Sequence, residues 1–346
     1  MADPVGEAFQ DATADSSELV EGKLYYVVEG IGLMVSNEVP TNYAALSGLH
    51  FFHVDGIIRY FPFCDDFGPF NLASIFRFLE ILDAKLVGMP DKTIVLCCRT
   101  DRKAITNAGF LMGAYLLLEL GYDADSPLMP LSNVSPSPYL DFRDATYGPV
   151  TFGLSIRDAW RGLAKAHSLG WFDAGSNDAF DLEEYEHYEN PGNGDLHWLV
   201  PNKILAFKGP THDIPAGRTW FDSKDVRMFS PEFYVESFLD MGVACVVRLN
   251  EAQYDRQAFV QRGIEHVDLF FNDCTVPPPS IVLRFLEIVE RTSGAMHVAQ
   301  MHPQHTHACM QTRAQHAHAQ TSTPMAGAGA HPCAARRRLV LLPRTA

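Results

Sequence analysis

"KTIVLCCRTDRK", residues 92–103, decides the class of fold. Apolar residues run from Ile94 to Cys98 without a polar interruption. That is the pattern and length of a strand covered on both faces, where inside–outside alternation disappears. A polar turn, "RTDRK", follows. Residues 104–120 then read as a helix, with Gly121 as its stop. Strand, short polar turn and helix together make an α/β unit.

The same grammar extends in both directions. Upstream, "KLYYVV" (23–28) and "HFFHVDG" (50–56) read as strands. "FGPFNLASIFRFLEILDAKL" (67–86) reads as a helix with Leu72, Ile75, Phe76, Leu79 and Leu82 on one face. Downstream, "LSNVSPSPYLDFRDATYGP" (131–149) is a Pro-rich connection and "FGLSIRDAWRGLAKAHSLG" (152–170) another helix. Residues 23–165 are therefore expected to form a first α/β domain, after a polar, acidic segment (1–22) expected to be disordered. Residues 166–199 read as a linker. They contain "DAFDLEEYEHYE" (178–189), a short and very acidic helix candidate, and the turn "NPGNGD" (190–195).

The pattern then restarts. "VPNKILAFKG" (200–209) is strand-like, and "SPEFYVESFLDMG" (230–242) is a helix with Ser230 as N-cap and Pro231 first inside. "VACVVRLN" (243–250) is a buried strand, "AQYDRQAFVQRG" (252–263) a helix, "IEHVDLFF" (264–271) a strand, "NDCTVPPP" (272–279) a loop and "SIVLRFLEIVERT" (280–292) a helix. "AMHV" (295–298) begins one more strand. Residues 200–298 are the expected second α/β unit, and 299–346 a low-complexity tail of His, Gln, Ala, Thr and Pro. A chain of 346 residues accommodates two domains. In such sheets the functional loop sits at the C-terminal end of a central strand, the place the strand at "AMHV" would fill.

Composition narrows the function. Net charge is −15, yet residues 291–346 contain no Asp or Glu and carry 6 of the 27 Lys and Arg. The acidic body disfavours nucleic acid and suits basic partners, although a soluble surface alone would give the same balance. No stretch reaches the roughly 18–20 apolar residues of a membrane span, so no membrane partner is expected. The acidic start lacks a basic n-region, which argues against a secretory signal. Seven cysteines show no paired spacing, which points to an intracellular, reducing compartment.

Several motifs in order carry a family resemblance. "NGDLHWLVPNKILAFKGP", "VRLNEAQYD", "IEHVDLFFNDCTVPP" and "VLRFLEIVERTSGAM" resemble the dual-specificity protein phosphatases of the cell division cycle fourteen family. "DDFGPFNLASIFRFLE", "NAGFLMGAYLLLELG", "PYLDFRDATYGPVTFGLSIRDAWRGL" and "EYEHYE" look like that family's non-catalytic N-terminal domain and linker. The likeness runs from about Lys23 to Val298. It implies two tandem phosphatase-like α/β domains joined by an acidic helical linker. It also implies hydrolysis of phosphoserine, phosphothreonine or phosphotyrosine in proteins through a cysteinyl-phosphate, with no cofactor and no metal. The cell cycle and a nuclear or cytoplasmic location come with it.

The resemblance breaks where the chemistry should be. The family's motif is His-Cys, five residues, then Arg, directly after the strand that begins "GAM". Here Ala299 and Gln300 follow, and none of the seven cysteines has an Arg six positions on. A thiolate to attack phosphorus, backbone N–H groups to hold the phosphate and an Arg fork to stabilise the transition state are the parts such a loop supplies. The chain as written is expected to be inactive, with the second domain truncated before that loop. A retained intron or frameshift in the gene model accounts for the tail; a divergent natural end is the alternative. Without the loop and the helices after it, residues 200–298 are expected to pack loosely.

Other residues have expected roles. By resemblance, Asp273 in "FFNDCTVPP" is the general acid that protonates the leaving oxygen; on its own it reads as a loop-capping Asp. By resemblance, Glu186, Glu189 and Asp195 form an acidic groove for phosphoprotein segments with Ser-Pro followed by a basic residue. The spacing of Glu186 and Glu189 puts both on one helical face, where a solvated acidic helix is the plain reading. The alternative function is a non-catalytic module binding basic Ser-Pro segments. Cys97 and Cys98 read as core cysteines. His302, His305, His307 and Cys309 have spacing that permits zinc, but nothing in their low-complexity setting fixes them, and no metal site is expected.

Overall fold

The structure is a computed structural model describing residues 18–37, 48–62, 65–126, 128–145, 149–150, 153–172, 181–223, 226–272, 275–293 and 295–299. It is a mixed α/β protein with two principal sheets, each with its own core.

The first sheet has the order β1-β2-β4-β3, from β1 (Leu24–Val28), β2 (Ile31–Val35), β3 (Leu49–Phe52) and β4 (Thr93–Cys98). β4 pairs in parallel with both β2 and β3, so "KTIVLCC" lies inside the sheet. All five residues of β2 are buried, yet the strand escapes the sequence pattern, because Gly30 and Gly32 flank Ile31 and read as a turn. Gly32 sits close to its neighbours: a Cβ there would stand 2.7 Å from Leu24 Cδ1, so the end of that side chain would have to swing aside.

Three helices complete that core. α1 (Leu72–Gly88) starts at Asn71, whose side chain accepts from the Ser74 N–H at 2.9 Å. α2 (Arg102–Leu118) starts at Asp101, which caps the Ala104 N–H at 2.9 Å. α2 is buried almost all round, the expected fate of a helix apolar on every face. Gly109 and Gly113 let Tyr139 and Trp160 lie directly on its backbone, where any Cβ would overlap the rings. Trp160 Nε1 donates to the Phe110 carbonyl at 3.2 Å. α3 (Ile156–Ser168), begun by a Ser155–Asp158 capping box, holds Trp160 there.

The second sheet has the order β10-β9-β11-β6-β5. Its strands are β5 (Leu196–Val200), β6 (Ile204–Phe207), β9 (Val243–Arg248), β10 (Glu265–Asp268) and β11 (Ala295–Ala299). β11 lies between β9 and β6, parallel to both, while β5 closes one edge antiparallel to β6. α4 (Leu182–Glu189) precedes this sheet, and β7 (Trp220–Ser223) and β8 (Val226–Phe229) form a separate hairpin. One face of the sheet is covered by α5 (Pro231–Asp240) and the single turn α6 (Gln257–Val260), with Phe207, Tyr234, Phe238 and Phe259 packed together. The other face carries α7 (Pro279–Arg291), whose Ile288 packs with Cys245, Val247 and Leu269.

Several local expectations change. Leu196–Val200, all but its last residue inside the stretch read as linker, is strand, because pairing with β6 overrides its mixed composition. The helix expected over 252–263 shrinks to one turn. Ser230 occupies the N-cap of α5 but its buried hydroxyl caps nothing; the Phe233 N–H bonds the Ser230 carbonyl instead, at 3.2 Å. "VACVVRL" keeps cover on both sides, with Cys245, Val246 and Val247 fully buried, contrary to the expected loss of cover. Cover is thin on α7, where Val282, Leu283 and Leu286 are 40%, 62% and 48% exposed.

Candidate functional site

α4 is the seam between the two sheets' cores. Asp181 caps it, accepting from the Glu184 N–H at 2.9 Å, and no residue of the helix is fully buried. Glu186 and Glu189 face α1. Arg77 grips Glu186 in a two-pronged fork, Nε to Oε1 at 2.9 Å and Nη2 to Oε2 at 2.6 Å. Such a fork is the strong form of a charge-assisted pair. The bond to Glu186 does most to hold the Arg77 guanidinium above its ordinary pKa, and the charges of Glu80 and Glu183 add to it. One turn on, Asn71 Nδ2 donates to Glu189 while its oxygen caps α1.

The chain leaves α4 through a 3-10 turn (Pro191–Asn193), Gly194 at φ 114° and Asp195 at φ 54°. Both values are left-handed, which glycine adopts freely and aspartate tolerates. Asp195 Oδ1 lies 2.8 Å from His197 Nε2, and its carbonyl accepts from the Lys208 N–H at 3.1 Å. The Tyr185 ring stands edge-on to His197, centroids 6.3 Å apart. Burial, and then the Glu189 charge, push the Tyr185 hydroxyl well above its ordinary range. Glu186 and Glu189 thus turn toward α1, and Asp195 toward His197.

Lys208 carries no sequence mark of its role. It is buried, donates Nζ to the Arg227 carbonyl at 2.8 Å, and is drawn down to about 8 by burial, with Asp195 opposing. Its apolar surroundings in "ILAFKGP" give no signal of this.

A polar network at the C-terminal end of β9 and β10 is also invisible in the sequence. Arg248, nearly fully buried, donates Nε to Asp268 Oδ1 at 2.7 Å and Nη1 to the Tyr254 carbonyl at 2.9 Å. Tyr254 Oη lies 2.8 Å from His266 Nε2. Burial holds the phenol protonated, and His266 Nδ1 lies 4.0 Å from Asp268 Oδ1. Burial also holds His266 down to about 4. The network ties down the segment leading to the loop of Asp273. Leu269 and Phe271 N–H groups donate to the Arg248 and Leu249 carbonyls at 2.9 and 3.2 Å. Asp273 itself lies outside the described residues.

At the end of β4, Cys97 and Cys98 are buried, and burial raises them to about 11 and about 12. A helix N-terminus follows, but burial outweighs its pull, so neither is a thiolate near neutrality. The turn after them holds Arg99, 3.7 Å from Asp55 and 3.5 Å from Asp101. No group of metal-ligating side chains occurs among the described residues; His302, His305, His307 and Cys309 lie outside them. No helix among the described residues is long and apolar enough to cross a membrane.

The family model described as "Dual specificity protein phosphatase, N-terminal half" matches residues 18–166. The chain is 37% identical over 254 residues to the dual specificity protein phosphatase CDC14C of Homo sapiens, covering 73% of this chain and 55% of that protein. It is 40% identical over 251 residues to human CDC14A, covering 72% and 41%. It is 35% identical over 256 residues to the tyrosine-protein phosphatase cdc-14 of Caenorhabditis elegans, covering 72% and 35%. The chain spans about half the length, or less, of these curated relatives.

Proposed function

Because this chain belongs to the CDC14 family of dual specificity protein phosphatases, we propose that it descends from an enzyme hydrolysing phosphoproteins and itself acts as a non-catalytic binder of basic Ser-Pro segments. In the family reaction a thiolate attacks phosphorus while an acid gives its proton to the departing serine or tyrosine oxygen. Water then cleaves the sulfur–phosphorus bond, releasing phosphate and restoring the thiolate. Asp273 is our candidate for that acid. The observation that carries the non-catalytic reading is chemical: no cysteine among the 346 residues is followed six positions later by Arg. The buried thiols of Cys97, Cys98 and Cys245, all raised to about 11 or above, support it.

The binding half of the proposal rests on the carboxylates around α4. A ligand carrying Lys or Arg after Ser-Pro would place its cation against Glu186 and Glu189, which share the α1-facing side of α4; Asp195, expected in the same groove, faces His197 instead. We divide the chain as 23–165, a phosphatase-like N-terminal domain; 166–199, the linker; and 200–298, the phosphatase domain without its phosphate loop. A reducing compartment, nucleus or cytoplasm, suits the three buried free thiols. Two measurements test the reading. Turnover of an aryl phosphate should stay at background; turnover abolished by thiol alkylation and mapped to Cys97, Cys98 or Cys274 would overturn it. A labelled Ser-Pro-x-Lys peptide should bind, more weakly as salt rises, and Glu189→Lys should weaken it; unchanged binding in that variant would remove the groove.

A further inference from the structure

The acidic face of α4 already holds a cation. Arg77 reaches from α1 and fills the fork of Glu186. We propose that Arg77 is a built-in competitor for this face: a basic ligand enters by displacing its guanidinium from Glu186, so Arg77 sets both the affinity and the cation preference of the seam. The inference rests on the binding role proposed above.

Geometry and charge support displacement. The Arg77 and Glu186 side chains are 44% and 37% exposed, so water and ligand reach both. An ion pair of that exposure shifts an equilibrium by no more than about fivefold. Arg77 is thus a competitor that a ligand can displace, and not a lock. Opening the pair uncovers no core, because α4 has no fully buried residue. The field also exceeds what one cation neutralises. Glu80, Glu183 and Glu186 all act on Arg77, and Glu189 stands one turn further along. Asn71, which meets Glu189, is neutral and committed to capping α1, so it leaves the charge of Glu189 uncompensated. The fork itself dictates preference. A planar guanidinium reproduces the two parallel bonds to Glu186, whereas an ammonium supplies a point charge. Ligands with Arg should therefore replace Arg77 better than ligands with Lys.

The test uses the full chain and fluorescence anisotropy with labelled Ser-Pro-x-Arg, Ser-Pro-x-Lys and Ser-Pro-x-norleucine peptides. Arg77→Gln should tighten the two basic peptides by about two- to fivefold and leave the norleucine peptide unchanged. The Arg peptide should bind tighter than the Lys peptide, and Glu186→Gln should narrow that gap. Arg77→Lys keeps the charge but loses the fork; it should shift affinity in the same direction by less, and it carries the test if Arg77→Gln does not fold. If neither Arg77 variant tightens binding while Glu189→Lys still weakens the wild type, the seam binds cations but Arg77 does not compete. If no peptide binds the wild type or either Arg77 variant, the binding role and this inference fall together.

Discussion

α2 and α7 each pack on a central parallel strand, and they are treated oppositely. α2 is buried at 12 of its 17 positions, whereas α7 buries only Ile288 of its 13. The contrast is not between a good and a poor sheet. On its other face the second sheet is densely packed: Phe207 meets Tyr234 and Phe238 edge-on, and Phe238 stacks on Phe259 at 5.8 Å. The thinness belongs to one face, beside β11. Each large side chain fully buried stabilises by roughly 1.5–3 kcal/mol, so stabilisation should be concentrated around α2 and on the α5 side, and sparse under α7.

The largest expected effect sharpens that contrast. Trp160→Ala should destabilise the first core by about 3–5 kcal/mol, since it removes a ring seated on the Gly113 backbone together with its bond to Phe110. Ile288→Ala should fall near the low end of the roughly 2–5 kcal/mol range for such changes, because its half-covered surroundings can collapse. Urea unfolding followed by core-specific probes would measure both. Equal losses would mean that the α7 face is as well packed as the first core.

The next effect separates the two cores by pH. His266 belongs only to the second sheet and is held near 4 by burial. The folded form stays neutral while the unfolded chain takes up a proton below about 6.5. Stability from this group is therefore complete above about pH 6.5 and is lost as pH falls toward 4, by about 3 kcal/mol in full. The second core's urea midpoint should drop between about pH 7 and about pH 4.5 more than the first core's. His266→Phe, which keeps the stack on Phe259, should flatten that difference. A slope unchanged in the variant would assign the effect to other groups.

Much of this architecture was legible in the sequence, for physical reasons. β4, α1, α2, α3, α4, α5, β9 and α7 each carry a period long enough to read, with punctuation from Asp101, Ser155 or Pro231. β2 did not, because Gly30 and Gly32 imitate a turn until their neighbours are known. β5 did not, because an edge strand takes its register from its partner. At the candidate site, the placing of Glu186 and Glu189 on one face of a helix was readable from spacing. Their partners were not: Arg77 lies 109 residues away from Glu186, and nothing local marks it. The network of Arg248, Tyr254, His266 and Asp268 is likewise a product of two strands meeting in register.

The smallest expected effect is the most discriminating for α7. Leu283 points outward at 62% exposure, with Val282 and Leu286 beside it at 40% and 48%. Leu283→Glu should therefore change stability by no more than about 0.5 kcal/mol, as a surface substitution does. It should also raise solubility, since an exposed apolar face promotes association. The matched change Leu111→Glu on α2, where Leu111 is 1% exposed, should prevent folding, because it buries a carboxylate without a partner. Denaturant curves and light scattering on the two variants decide the matter. If Leu283→Glu cost more than about 2 kcal/mol, that side chain would be buried in solution, and the asymmetry between α2 and α7 would collapse.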